Sequence, residues 1–137
     1  MLGGKRKILV AGLGNRGVTP DALGPFVVDN LYVTRHLVKE DILACPYEIS
    51  AVAPGVMAQT GMESQEILQG VIAQIHPEAL VVIDALAAGN SNRLNKTIQL
   101  ADTGIAPGSG VGNHRKAITE ETLGIKVIAI GVPTVIS

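Results

Sequence analysis

Uninterrupted aliphatic runs, set far apart along the chain, constrain its fold more than any other feature. "KILVAGL" (7–13), "ALVVIDAL" (79–86) and "KVIAIGV" (126–132) lack the polar–apolar alternation of a strand with one wet face. A strand that is apolar on both sides is covered on both sides, as in parallel sheets flanked by helices. "EISAVAP" (48–54) and "TIQLADT" (97–103) complete a set of five expected strands. Between them, "PFVVDNLYVTRHL" (25–37) and "SQEILQGVIAQI" (64–75) carry apolar residues at helical spacing. "TEETLG" (119–124) reads as a short helix capped by Thr119, with acidic residues in its first turn and Gly124 as its stop. Strands alternating with helices imply crossovers, hence an α/β chain folded as a three-layer α/β/α sandwich around a mostly parallel sheet.

The chain has 137 residues, enough for one domain with its own core. Hydrophobic residues make up 47% and aromatics only 2%, so the core is built from Val, Ile, Leu and Ala. No linker, repeat or low-complexity tract divides the sequence. Eleven basic residues against twelve acidic ones leave no electrostatic footprint for nucleic acid. Cys45 is the single cysteine, which fits a reducing compartment. No run reaches the length of a transmembrane helix. "KRK" before "ILVAGLG" resembles a signal peptide, but its apolar part is too short and reads as the first strand. The expectation is a soluble, cytoplasmic protein without a membrane partner.

In such sheets, ligand and catalytic groups gather at the carboxyl ends of the strands. Asn15 after the first strand, Asp84 in the third and Asp102 in the fourth are expected there. Gly12, Gly14 and Gly17 spell G-x-G-x-x-G after the first strand, as a dinucleotide-binding turn would. That reading fails two of its own conditions. Pro20, Gly24 and Pro25 delay the helix well past the glycines, and the second strand ends in "AVAPG" with no carboxylate for a ribose. What remains is Asp21, which either holds a turn or carries chemistry. Asp84, at the end of the most apolar strand, costs several kcal/mol to bury unless it is satisfied. Backbone N–H groups of the following loop would satisfy it. Alternatively it faces Asp21 across a shared cleft, where the pair would titrate apart into a general base and a general acid acting on one water.

A second glycine-rich loop, "PGSGVGNHRK" (107–116), lacks the Lys-Ser/Thr ending of a P-loop. Gly108, Gly110 and Gly112 would bring backbone N–H groups close to a substrate or oxyanion. His114, Arg115 and Lys116 would add positive charge for an acidic substrate; an ordinary solvated loop is the alternative. His76, before Pro77, reads as structural, and His36 as lying late in its helix, where a cation suits the dipole. No histidine shows metal-ligand spacing with another histidine or a cysteine, so no metal or cofactor is expected.

"GLGN", "VTPDALGP", "VTRHL", "APGVMAQTGMES", "IDALAA", "TIQLADTGIAPGSGVGNHRK" and "ETLGIKVIAIGVPTV" together resemble the germination proteases of endospore-forming bacteria. The similarity runs from about Ile8 to Val135. It implies an endopeptidase that degrades small acid-soluble spore proteins during germination, in the forespore or spore core. It also implies an atypical aspartic mechanism in which the aspartates of "TPDALGP" and "IDALA", here Asp21 and Asp84, are catalytic. The family's fold is similar to that of hydrogenase maturation peptidases, which use a metal at the matching site. Residues 1–137 are then expected to be a single catalytic core domain without the family's N-terminal pro-segment and C-terminal portion. "KVIAIGVPTVIS" is followed by no covering helix, so a homo-oligomer, or a longer chain, is expected to cover that face. Gly17 replaces a bulkier residue of the family, and His114 stands where lysine is expected. Two other readings accompany this one: a metallopeptidase using Asp21, Asp84 and His114, and a catalytically silent binding or scaffold member.

Overall fold

The computed structural model describes residues 6–88, 99–105 and 116–136. The chain runs through β1 (Arg6–Gly12), a 3-10 turn (Thr19–Asp21), α1 (Leu23–Asn30), α2 (Arg35–Lys39), β2 (Tyr47–Val52), α3 (Met57–Thr60) and α4 (Ser64–Ile75). It continues through β3 (Ala79–Ala88), β4 (Gln99–Ala101), α5 (Glu120–Leu123) and β5 (Lys126–Ile136). The strands form one sheet in the order β2-β1-β3-β5-β4. β1 pairs in parallel with β2 and β3, and β3 with β5; only β4 runs antiparallel, against β5. The α/β class and the mostly parallel sheet therefore stand as the apolar runs imply.

Alternate residues of the central strands serve opposite layers. Leu9 and Ala11 of β1, Leu80 and Val82 of β3 and Val127 of β5 form one apolar face. Leu68 and Ile72 of α4, Leu123 of α5 and Ile118, just before α5, close over it. Burying each large aliphatic side chain contributes about 1.5–3 kcal/mol. On the other face Gly12 meets α1 so closely that a Cβ there would lie 2.1 Å from the Gly24 carbonyl oxygen. A Cβ on Gly24 would in turn lie 2.2 Å from the Leu13 carbonyl oxygen. Strand and helix touch backbone to backbone at the carboxyl end of β1.

Three expectations change. The helix expected over 25–37 is two short helices, separated at Leu31–Thr34. Thr34 is buried, donates its N–H to the Ile49 carbonyl (2.9 Å) and its hydroxyl to the Tyr47 carbonyl (2.8 Å), and accepts from the Ile49 N–H (2.9 Å). These bonds occupy the outer edge of β2, which would otherwise offer unpaired backbone groups, and they outweigh helical continuity. His36 accordingly falls in the last turn of the five-residue α2, not of a long helix. The fourth strand is only three exposed residues and is antiparallel, so its carboxyl end points away from those of its neighbours. Asp102 therefore does not join the carboxyl-end cluster. α4 matches expectation at both ends: Glu63 and Glu66 form a capping box, and His76 ends the helix in the left-handed conformation.

Gly12 and Gly17 belong to one sequence motif but carry different steric demands. Gly17 has only the Asn15 Oδ1 atom near its Cβ position, at 3.4 Å. Gly12→Ala is expected to lower the unfolding free energy by about 2 kcal/mol or more, and Gly17→Ala to change it by less than about 0.5 kcal/mol. Urea denaturation of the two variants checks the contrast.

Candidate active site

β1 lies at the point where the chain's connections diverge, with β2 on one side and β3 on the other. Crevices of open α/β sheets form at such switch points, outside the carboxyl ends of the strands. The loop leaving β1 occupies this position. The Leu13 N–H donates to the Ile83 carbonyl (2.8 Å), carrying the β1–β3 pairing one residue past the end of β1. The chain then turns at Gly14, whose φ of 120° excludes an ordinary side chain. A Cβ at Gly14 would also lie 2.1 Å from the Asp21 carbonyl oxygen.

That close approach folds the loop back on itself around Asp21. The Asn15 N–H donates to both the Asp21 carboxylate Oδ2 (2.9 Å) and the Asp21 carbonyl (3.0 Å). Asn15 Oδ1 accepts from the Gly17 N–H (2.8 Å) and from Gln59 Nε2 of α3 (3.4 Å). Pro20 occupies the first turn of the 3-10 segment, where its missing N–H costs nothing. Asn15 thus braces Asp21 while its side-chain oxygen is engaged within the loop and by α3.

Asp84 lies inside β3, not at its end, because the strand continues to Ala88. It follows Leu80 and Val82 on the same side of the strand and is only 7% exposed. Its neighbour across the sheet is Gly131 of β5. Oδ1 accepts the Ala85 N–H at 2.9 Å. Burial raises the Asp84 carboxyl strongly, and repulsion from Asp21 adds to it; the Ala85 bond opposes them, leaving a pKa of about 7. Asp21, less deeply buried, is also raised by burial, against the lowering effect of the Asn15 N–H. The two carboxylates therefore share one electrostatic environment. Asp84 is the one that keeps its proton toward neutral pH.

The remaining sequence candidates separate. Gly108, Gly110, Gly112, His114 and Arg115 lie outside the described residues. Lys116 is described, and it lies against the start of α4. Its N–H donates to Glu63 Oε1 (3.1 Å) and its ammonium lies 3.7 Å from Glu66 Oε2, both at the start of α4. Among the described residues no third His, Cys, Asp or Glu joins the aspartates in a metal-binding group. One contact escaped the sequence reading: the Thr134 hydroxyl of β5 donates to the Pro20 carbonyl, beside Asp21. The two residues are 114 positions apart, and no local pattern marks them as neighbours.

A family model described as germination protease matches residues 2–137. The germination proteases of Bacillus velezensis and Bacillus subtilis are each 57% identical over 131 residues, covering 93% of this chain and 36% of theirs. That of Priestia megaterium is 56% identical over 131 residues, with 93% and 35% covered. The chain thus spans about a third of the length of these relatives. Among solved structures, a [NiFe] hydrogenase maturation protease, HycI from Thermococcus kodakarensis, superposes with a TM-score of 0.56 at 22% identity. The match covers 96% of this chain and 76% of that one, and the fold is shared.

The raised Asp84 carboxyl makes stability depend on pH in a definite direction. An acid whose folded pKa (about 7) exceeds its ordinary value (3.8) binds more protons folded than unfolded between them. Stability is then fullest below pH 3.8 and is lost as pH rises through 7. At about 1.4 kcal/mol per pKa unit the full loss is about 4 kcal/mol. Asp84→Asn is expected to abolish this loss, so that it exceeds the parent in unfolding free energy at pH 8 but not at pH 4. Urea titrations at the two pH values measure it.

Proposed function

The chain belongs to the germination protease family, and on that premise we propose that it carries the catalytic centre of an endopeptidase, with Asp21 and Asp84 activating water against a peptide carbonyl. The observation that carries this reading is the pairing of a buried, proton-retaining Asp84 with a more open Asp21 at the switch point of the sheet. The substrates are small acid-soluble spore proteins, degraded at germination in the spore core or forespore. The proteins named germination protease at 56–57% identity support a peptidase that acts at germination. None of the described helices is long and apolar enough to cross a membrane. The assembly is a homo-oligomer, and residues 1–137 act as one catalytic core.

In the proposed cycle the two carboxyl groups begin with one proton between them, held by Asp84. Asp21 removes a proton from water as the water oxygen attacks the scissile carbonyl. Asp84 donates its proton to the carbonyl oxygen, giving a neutral tetrahedral diol with the charge now on Asp84. Collapse of the diol returns that proton to Asp84, while the proton on Asp21 passes to the departing amine. Every proton is returned and one water is consumed. Asn15 keeps the Asp21 carboxylate oriented throughout by its N–H. Gly108, Gly110 and Gly112 would present backbone N–H groups, and His114 and Arg115 positive charge, to the bound chain.

Asp21→Asn and Asp84→Asn are each expected to lower kcat/KM by about 1,000-fold or more on a disordered peptide of spore-protein sequence, with far-ultraviolet circular dichroism unchanged. Full cleavage by either variant would sink the mechanism. The rate should also fall about tenfold per pH unit above 7, as Asp84 loses its proton. Two carboxylates acting on water need no bound ion, so prolonged dialysis against a chelator should leave the rate within about twofold of its starting value. Loss of activity restored by a divalent cation would favour the metallopeptidase reading.

A further inference from the structure

From the contact between β5 and the 3-10 turn we infer that Thr134 is a positioning residue, holding the Pro20–Asp21 peptide over Asp84 through its hydroxyl. This rests on the two-aspartate reading of the site and adds to it the element that sets the separation of the pair.

The hydrogen bonds within the turn all close locally. Asn15 N–H bonds to Asp21, Val18 N–H to the Asn15 carbonyl (3.1 Å), Asp21 N–H to the Val18 carbonyl (2.8 Å) and Ala22 N–H to the Thr19 carbonyl (3.3 Å). They set the internal shape of the segment, not its placement over the sheet. Among the described residues, the bond from Thr134 Oγ1 to the Pro20 carbonyl is the one that ties residues 19–21 to a strand. It acts on the residue adjoining Asp21.

The register of β5 explains how Thr134 reaches it. Leu86 of β3 faces Pro133 and Ala87 faces Val135, so Thr134 is an extra residue with no partner in the ladder. A bulge of this kind bends its strand and re-aims a side chain. Pro133, fully buried just before it, supplies no N–H and weakens the ladder at that point. The same strand lies beside Asp84 at Gly131. One strand therefore flanks Asp84 and holds the segment that carries Asp21.

The test compares Thr134→Val, which keeps the shape and removes the hydroxyl, with Thr134→Ser, which restores it. Two quantities are read on the purified protein: turnover of a synthetic disordered peptide of spore-protein sequence, and the titration midpoint of the Asp84 carboxyl carbon by NMR. Among the described residues, Asp21 is the charged group that acts on Asp84. With the turn released, the valine variant should lose kcat on the order of 10- to 100-fold, with KM changed by less than about twofold. Its Asp84 midpoint should fall, and Thr134→Ser should restore both values. A valine variant with parental kcat and an unmoved Asp84 midpoint overturns the proposal. If the parent itself fails to cleave the peptide, the protease reading fails, yet the Asp84 midpoint still decides whether Thr134 positions Asp21. Should thermal unfolding show that the valine variant does not fold, Thr134→Ala is read in the same way.

Discussion

The site depends on a carboxylate buried in the middle of a hydrophobic strand. Asp84 continues the Leu80 and Val82 row of β3, and β3 is the central strand of the sheet. A charge there loses its hydration and gains one backbone N–H in return, which is too little to keep it ionised at ordinary acidity. The protein's answer is to keep the proton. Burial is normally a cost to be avoided for an acidic side chain; here it converts an acid that would be spent at neutral pH into one able to donate.

The loop after β1 supplies the complementary half. Its first two glycines serve proximity. Gly12 admits the backbone of α1, and Gly14 admits the backbone of Asp21. A motif that in dinucleotide-binding proteins brings backbone toward pyrophosphate is used here to bring backbone toward backbone, and the result is a tight ring closed by Asn15 and Asp21. The pair is consequently asymmetric. One carboxylate sits in the sheet and the other on a braced loop above it, which is the division of environments that separates two acids into different roles.

Much of this was legible in the sequence, and the parts that were not share a physical cause. Apolar runs covered on both faces announced β1, β3 and β5 because burial is written residue by residue. α4 was readable to its ends because its period and caps are local. The break before Thr34 was hidden, since the groups that compete for Thr34 belong to β2, some 15 residues away. The direction of β4 was equally hidden, because three exposed residues carry no record of which way their neighbour runs. Asp21 and Asp84 were singled out by chemistry and by family likeness, and a shared cleft was one of two readings for Asp84; that burial outweighs repulsion there came only with the fold. Thr134 depends on a single-residue slip in the β3–β5 register, and such slips leave no trace in composition or period.

The placement of the two aspartates also divides them by local stability. Asp84 belongs to the strand flanked by β1 and β5, and core strands open at the highest free energies in a folded protein. Asp21 belongs to a loop held mostly by hydrogen bonds within itself. Native-state hydrogen exchange should then find the Asn15 amide exchanging early and the Ala85 amide, which caps Asp84, among the last. On the proposed two-aspartate mechanism, a substrate would meet one fixed acid and one adjustable base, and any induced fit would be confined to the side that accepts the first proton.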